Sequence, residues 1–521
     1  MQNDLHFLAK NKILLFLAAA ISAVSCQLFA DVEANNSDEL YSAFQKGESV
    51  ALKKGAVYEI NKPLRFAKDG QRLYTKDAKR LSDYATLIVT EPEGGQILNG
   101  NGKKDILVEK VKLDGNRYGV EPYEGGGPEL VWFGGPGAEN QKIRNCVLMN
   151  SRTWSTLKLH EGGDNCSVEN TILFGCGADA RGNGRLNNPL DKPFKWGDGI
   201  SCAARNSTVK NNIIIDPTDV GIVLFCAPGS KVSDNVIASI SRESLGGINM
   251  VDGLGFYEID KEKVDKTDKK AMHFYDYGGV VVENNLIDAR GARIHIAMPL
   301  GATVWVPRDF RVMTFVGAKI LNNTLSGEAL AYGIVADGID KFVVKGNKSK
   351  GKHSGLADGR WQILCDEPAP FLYNPGFVGT SELQKDFKPQ ERDLMHLLRC
   401  NHGPVQRGGE FKDYRAYSYG VEEGKAAVKT AFIEMLGREA TKKETDKYSR
   451  IINEHVLPAD ALRLMLAKMP EFTAKNGELK RDDLHKFRTK KWMDALDKAI
   501  GTSDNWKAQD VYEKAFKSLK D

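Results

Sequence analysis

Between Trp196 and Asp252 short apolar strands alternate with turns, and the same phrase returns several times. Gly199-Ile200-Ser201-Cys202, Gly221-Ile222-Val223-Leu224 and Gly247-Ile248-Asn249-Met250 each open on a Gly-Ile pair. Between them stand Val209-Lys210-Asn211-Asn212 and Val232-Ser233-Asp234-Asn235, each leading into another apolar strand. A strand, a turn and a strand with no helix between them is the signature of a coiled parallel sheet. Units of the V-x-N-N type begin at Val108, Ile143, Val168, Val209, Val232, Val282, Ile320 and Val344. The shortest steps, such as Val209 to Val232, are about the length of one three-strand coil, and the longer ones leave room for loops. The spacing predicts an all-β solenoid, a right-handed parallel β-helix, over about 86–350.

Asn and Asp fill the turns. Asn145, Asn170, Asn211, Asn212, Asn235, Asn284, Asn285, Asn322, Asn323 and Asn347 recur at the same point of the unit. Asn tolerates the left-handed turn conformation, and its amide can bond the amide of the next coil. Residues 38–60 read as a helix followed by a strand, a cap over the first open coil. From about 421 the pattern changes to a 3.6-residue period rich in helix formers, and three or more helices follow. The predicted units are 1–30, 38–360 (solenoid with its cap), 361–420 (irregular) and 421–521 (helical). The last is expected to fold separately.

The first thirty residues read as an export signal. Lys10 and Lys12 precede the apolar run Ile13–Val24, which is short for a membrane span. Ala23-Val24-Ser25-Cys26 is similar to a bacterial lipoprotein box, in which Cys26 would carry lipid; cleavage after Ser25 or Ala30 is the alternative. The membrane is reached only through that anchor. Export permits disulfides, and Cys365 with Cys400 is the pair expected. The net charge of +4 on 521 residues offers no basic stripe for nucleic acid. Oligomeric state is not legible.

The repeat resembles the pectate-lyase-like right-handed parallel β-helix superfamily over about 45–360. T-W-S-T-L-K-L-H-E-G, W-G-D-G-I-S and L-G-G-I-N-M-V-D resemble an exported branch without settled activity. The N-T-D and G-H-G motifs of pectin-hydrolysing relatives are absent. The resemblance implies an extracellular, periplasmic or surface location and a class of function, polysaccharide binding or cleavage. The segment 428–475 resembles a small helical domain appended to bacterial exoproteins.

Strand alternation sends Leu157, Ile200, Ile222 and Ile248 inward. It places Thr156, Gly199, Gly221 and Gly247 outward, as a flat strip on which a polymer could lie. Loops at about 178–196, 253–278 and 298–316 would wall this strip. One wall carries Arg181, Arg185, Lys192 and Lys195; the other carries Tyr257, His273, Tyr275, Tyr277 and Trp305. Cations suit uronates and aromatic faces suit sugar rings, so the expected ligand is an acidic polysaccharide. Asp198, Asp219, Glu161, Lys158, His160 and Arg242 are the candidate catalytic groups. Asn249, Asp252, Trp154, Trp196, Lys195, Tyr257 and Trp305 are the candidate substrate contacts. Asp198 and Asp219 are expected at matching places on adjacent coils about 4.8 Å apart. Such a pair shares a proton, binds a cation or points apart. A shared proton suits glycoside hydrolysis, and bound Ca²⁺ suits β-elimination with Lys158, His160 or Arg242 as base. No metal ligand is assigned, and Ca²⁺ is the one ion considered. The readings are a polysaccharide lyase, hydrolase or epimerase, and alternatively a non-catalytic surface protein that binds glycan or a partner.

Overall fold

The computed structural model describes residues 31–91, 94–120, 128–177, 196–260, 272–304, 312–355, 369–390, 421–455, 459–479 and 483–520. Three long sheets of parallel strands run the length of the solenoid. Sheet I has twelve strands and carries the repeat itself: Val108, Ile143, Val168, Val209, Val232, Val282, Ile320 and Val344 lie in one row of register partners. Sheet II has ten strands, Ile213–Ile215 among them, and sheet III has eleven, including Ser155–His160, Asp198–Cys202, Val220–Phe225 and Ser244–Asp252. Each coil passes from I to II to III. The fold is the right-handed parallel β-helix. The expected interior column is present: Leu157, Ile200, Ile222 and Ile248 are consecutive partners and fully buried.

The corner between sheets I and II explains the Asn pairs. The first residue of each pair takes the left-handed conformation, as at Asn211 (φ 56°), Asp234 (59°), Asn284 (56°) and Asn322 (54°). That turns the chain in one residue. The second points inward and bonds its counterpart one coil on. The Asn212 amide donates to Asn235, Asn235 to Asn285, Asn285 to Asn323 and Asn323 to Asn347, each at 2.9 Å. Each side-chain oxygen also accepts the backbone N–H of the preceding rung. The buried polar groups of the corner are thereby satisfied, as burial requires. Gln384 ends the ladder beyond Asn347.

Helix α1 (Ser37–Lys46) closes the N-terminal end. The Asn36 side chain caps its start, and Gly47 (φ 73°) its end. Leu40, Ala43 and Phe44 enter the solenoid core. Five cysteines, Cys146, Cys166, Cys176, Cys202 and Cys226, are buried free thiols. The expected Cys365–Cys400 pair, the leader and Cys26 lie outside the described residues.

The C-terminal helices pack against the solenoid. These are α2 (Val421–Leu436), α3 (Lys442–His455), α4 (Ala459–Ala467), α5 (Pro470–Asn476), α6 (Asp483–Ile500) and α7 (Ala508–Ser518). Ile433, Trp492, Val511, Tyr512 and Phe516 share one apolar cluster with Val147, Ile172, Phe174, Ile213, Ile215 and Val236. The latter project from the outer face of sheet II. A continuous Ile-Ile-Ile strand such as 213–215 is apolar on both faces because both are covered.

The glycine strip needs a correction. Strict alternation would turn Gly199, Gly221 and Gly247 outward, but the strand kinks there and both members of each Gly-Ile pair face the core. A Cβ on Gly221 would lie 2.5 Å from Ile237 Cγ2, and one on Gly247 2.7 Å from Ile287 Cγ2. A Cβ on Gly199 would lie 2.9 Å from Ile214 Cγ2. These isoleucines are stacked interior residues of sheet II. Glycine is needed because sheet III meets sheet II too closely for a side chain. Gly221→Ala should therefore destabilise the protein by about 1–3 kcal/mol through overpacking. An unchanged melting temperature would restore the outward strip.

Candidate functional site

The outer face of sheet III divides in two. Toward the C-terminus Ile296, Tyr332, Val335 and Leu372 are fully buried beneath Val304 and Ala369. Toward the N-terminus the face is polar. One outward row runs Trp132, Lys158, Ser201, Val223, Asn249. A neighbouring row runs Ser155, Asp198, Val220, Gly246. The kink that turns each Gly-Ile pair inward brings residues three apart onto this one face. Ser201 Oγ therefore reaches Asp198 Oδ2 at 2.8 Å, and Ser155 Oγ lies 2.7 Å from Ser201 Oγ.

Asp198 and Asp219 are not at matching places. Ile200 pairs with Ile222, so Asp198 stands opposite Val220, and Asp219 is one residue earlier at the corner. Asp252 pairs with Phe225 across an irregularity in the ladder. The three carboxyls nevertheless sense one another. Burial, then the Asp219 charge, pushes Asp198 well above the ordinary carboxylate range, against the bond from Ser201. Burial, then Asp252, raises Asp219 to about 7. Burial raises Asp252 to about 6, and nearby Lys158 opposes that shift. The Lys158 ammonium sits over two rings, 4.9 Å from the centre of Trp154 and 5.4 Å from that of Phe225.

His160 lies at the edge of the same face. Its ring stacks on Trp132 at 4.0 Å, between Glu129 Oε1 (3.2 Å from Nε2) and Glu161 Oε2 (3.8 Å from Nδ1). Elsewhere on the face Trp132 Nε1, Asp198 Oδ1 and Asn249 Oδ1 are buried without a hydrogen-bond partner. Such atoms are rare in folded proteins, and each needs a reason.

Other expected groups are elsewhere. Arg242 is buried at the corner of sheets II and III, where its guanidinium donates to the Gly177 carbonyl (2.8 Å) and to the Tyr118 hydroxyl. The expected aromatic wall is a small sheet instead, formed by Glu258–Ile259, Met272–Asp276, Val312–Val316 and Ile339–Asp340. Its tyrosines are interior: Tyr275 and Tyr277 pack on Phe315, Tyr257 donates to the Ala203 carbonyl at 2.5 Å, and Tyr277 to the Leu224 carbonyl at 2.6 Å. Large aromatic residues far from any repeat phrase are as useful to a core as to a ligand. His273 bonds Glu258. Trp196 is 39 % exposed at the rim. Arg181, Arg185, Lys192, Lys195 and Trp305 lie outside the described residues.

Glu129 and Trp132 were missed. Counting back from the unit at Ile143 aligns Leu130-Val131-Trp132-Phe133 with Thr156-Leu157-Lys158-Leu159, and this would have found both. Among the described residues no three His, Cys, Asp or Glu side chains are arranged to hold a metal ion.

The raised carboxyls have a stability consequence. As pH rises, the unfolded chain releases the Asp219 proton near 4 and the folded chain only near 7. The associated stability is full below about 4 and lost on the way to 7. Asp219→Asn should therefore melt higher than the parent at pH 8 and show no such gain at pH 4. Parallel thermal melts at the two pH values check this; an equal effect at both would remove the shift.

No family model matches the chain. No curated protein matches it either. Solved structures do. An alginate lyase from Paenibacillus sp. is 12 % identical, with 69 % of this chain and 99 % of that one covered and a TM-score of 0.32. The A-module of the mannuronan C-5 epimerase AlgE4 of Azotobacter vinelandii is 14 % identical, covering 68 % and 97 %, at 0.34. The tailspike protein of E. coli bacteriophage HK620, solved with a pentasaccharide, is 10 % identical, covering 69 % of each chain, at 0.36.

Proposed function

We propose that this is an exported β-helix enzyme that hydrolyses an extracellular polysaccharide on the outer face of sheet III. The observation that carries the reading is three carboxyls of raised proton affinity, Asp198, Asp219 and Asp252, that sense one another on a face where Asp198 and Asn249 keep unpartnered buried oxygens. Two coupled carboxyls of raised proton affinity share a proton, so that one serves as acid and the other as base. Asp219, raised to about 7, holds its proton near neutral pH and donates it to the leaving glycosidic oxygen. Asp252, at about 6 and beside Lys158, is the carboxylate that takes a proton from the attacking water. The C–O bond breaks, water supplies hydroxyl to one sugar and hydrogen to the other, and the enzyme regains its proton. Asp198, bonded to Ser201, holds the pair in place. Trp132, Trp154 and the rim residue Trp196 offer ring faces to sugar C–H surfaces.

The test is incubation with a polysaccharide panel. Hydrolysis releases reducing ends with no unsaturated product. An unsaturated uronate product would make the protein a lyase with Lys158 or His160 as base. Binding without turnover would make it a surface binding protein.

A further inference from the structure

We propose that the cleft between the last coils of sheet II and the helices α2 and α7 is a second binding site, for an acidic sugar. It stands apart from the outer face of sheet III and does not depend on the reaction proposed there.

Sheet II supplies the floor. Asp288 and Ser326 are register partners on successive coils, and Lys350 follows the last strand, Lys348–Ser349. Ala426, Lys429 and Thr430 of α2 and Phe516 of α7 line the other side. The cleft has a volume of about 350 Å³, within the range of roughly 300–1,000 Å³ typical of small-molecule sites. Its charges are unevenly matched. Arg290 is paired with Asp288 and Glu513, and Lys352 with Glu422. Glu328, also in the lining, lies in the field of Lys352. Lys350 and Lys429 line the cleft and, among the described residues, meet no carboxylate within ion-pair distance. The unmatched charge is therefore positive, and it calls for an anion. The second argument is independent of charge. Asp288 is 1 % exposed. Its Oδ2 accepts from Arg290 Nε at 2.7 Å and from the Tyr512 hydroxyl at 2.9 Å, while Oδ1 is buried with no hydrogen-bond partner. Arg290 already meets the charge of this carboxylate, so the remaining oxygen calls for a neutral donor rather than a second cation. A bare anion such as phosphate satisfies only the lysines. A ligand with one acid group and hydroxyls beside it satisfies both: the acid on Lys350 and Lys429, a hydroxyl on Asp288. A sugar acid is such a ligand. Floor and wall come from different parts of the chain, so the bound sugar would also tie the helical tail to the solenoid.

The test is calorimetry on the full chain with four probes: galacturonate, galactose, inorganic phosphate and the zwitterion alanine. Galacturonate should bind roughly 10-fold or more tighter than the other three and weaken as salt is raised. Lys350→Gln and Lys429→Gln, both at exposed positions, should each reduce that affinity by about 10-fold, the scale of a lost hydrogen bond to a charged group. Galacturonate should also raise the melting temperature of the parent more than that of either variant. Circular dichroism on both variants separates lost binding from lost fold; if one is misfolded, the other decides. Equal or tighter binding of phosphate overturns the sugar-acid assignment, as does equal binding of galactose or alanine. Galacturonate binding that is unchanged in a folded lysine variant lies elsewhere on the molecule and overturns the site. Failure of all four probes to bind also overturns it. Hydrolysis on sheet III is decided separately, by the polysaccharide panel.

Discussion

Asp219→Asn and Asp252→Asn are each expected to lower polysaccharide turnover by about 10²-fold or more, the usual loss when a general acid or base is removed. The asparagine keeps the shape and removes the proton chemistry. Both side chains are partly exposed, so folding should survive. The parent rate should be bell-shaped in pH, with limbs near 6 and 7 that belong to the coupled pair rather than to either residue. Each variant should lose one limb. Asp198→Asn tests a different role. Its carboxyl accepts from Ser201 and is 4 % exposed, which suits a positioning role rather than proton transfer. It should change the pH limbs more than substrate binding. Variants at Asp219 and Asp252 that keep full turnover would remove the acid and base assignments together.

Glu434→Ala is expected to destabilise the whole molecule by about 3–5 kcal/mol or more, the scale for stripping one partner from a buried ion pair. Glu434 is fully buried on α2 and accepts from Arg463 of α4, from Arg488 Nε of α6 at 2.8 Å and from Trp492 Nε1 at 2.9 Å. Arg488 also reaches Asp216 of the solenoid at 3.1 Å, and Arg463 reaches the Ile240 carbonyl. Burial alone would raise the Glu434 proton affinity, but the two guanidiniums bring it below the ordinary range. Its contribution is thus present above the unfolded carboxyl range and lost on acidification. Removing the carboxylate takes the shared anion from two buried arginines, of which Arg488 keeps Asp216. Since Arg488 bridges to sheet II, the loss should appear as one cooperative transition at lower temperature. Two separate transitions, with only the helical part weakened, would mean that the tail is an independent unit.

The repeat was legible because a parallel solenoid is built from local rules. The unit beginning at Val209 has a left-handed residue at Asn211, an inward amide at Asn212 and inward apolar side chains at Val209 and Ile214, and each requirement falls on a fixed residue type. The interior column Leu157–Ile200–Ile222–Ile248 follows from alternation alone. Asp198, Asp219, Lys158, Asn249 and Asp252 became candidates through their places in that unit, although Asp198 and Asp219 do not stand opposite one another.

Alternation failed at the Gly-Ile pairs, where the chain turns a corner and two neighbours face the same way. Whether a glycine there meets solvent or Ile237 depends on how close sheet II stands, which no local pattern records. The tyrosines of 257–277 met the same limit, since an aromatic residue serves a core or a ligand equally well until its neighbours are known. The outer face of sheet II was apolar in the sequence, but only the tertiary structure showed that α2, α6 and α7 cover it. Sequence by itself determined the coil, its turns and its interior, because those are contacts between residues one repeat apart. The tertiary structure decided which polar atoms are buried without partners and which carboxyls share a field, because those depend on distances between rows and on what lies above them.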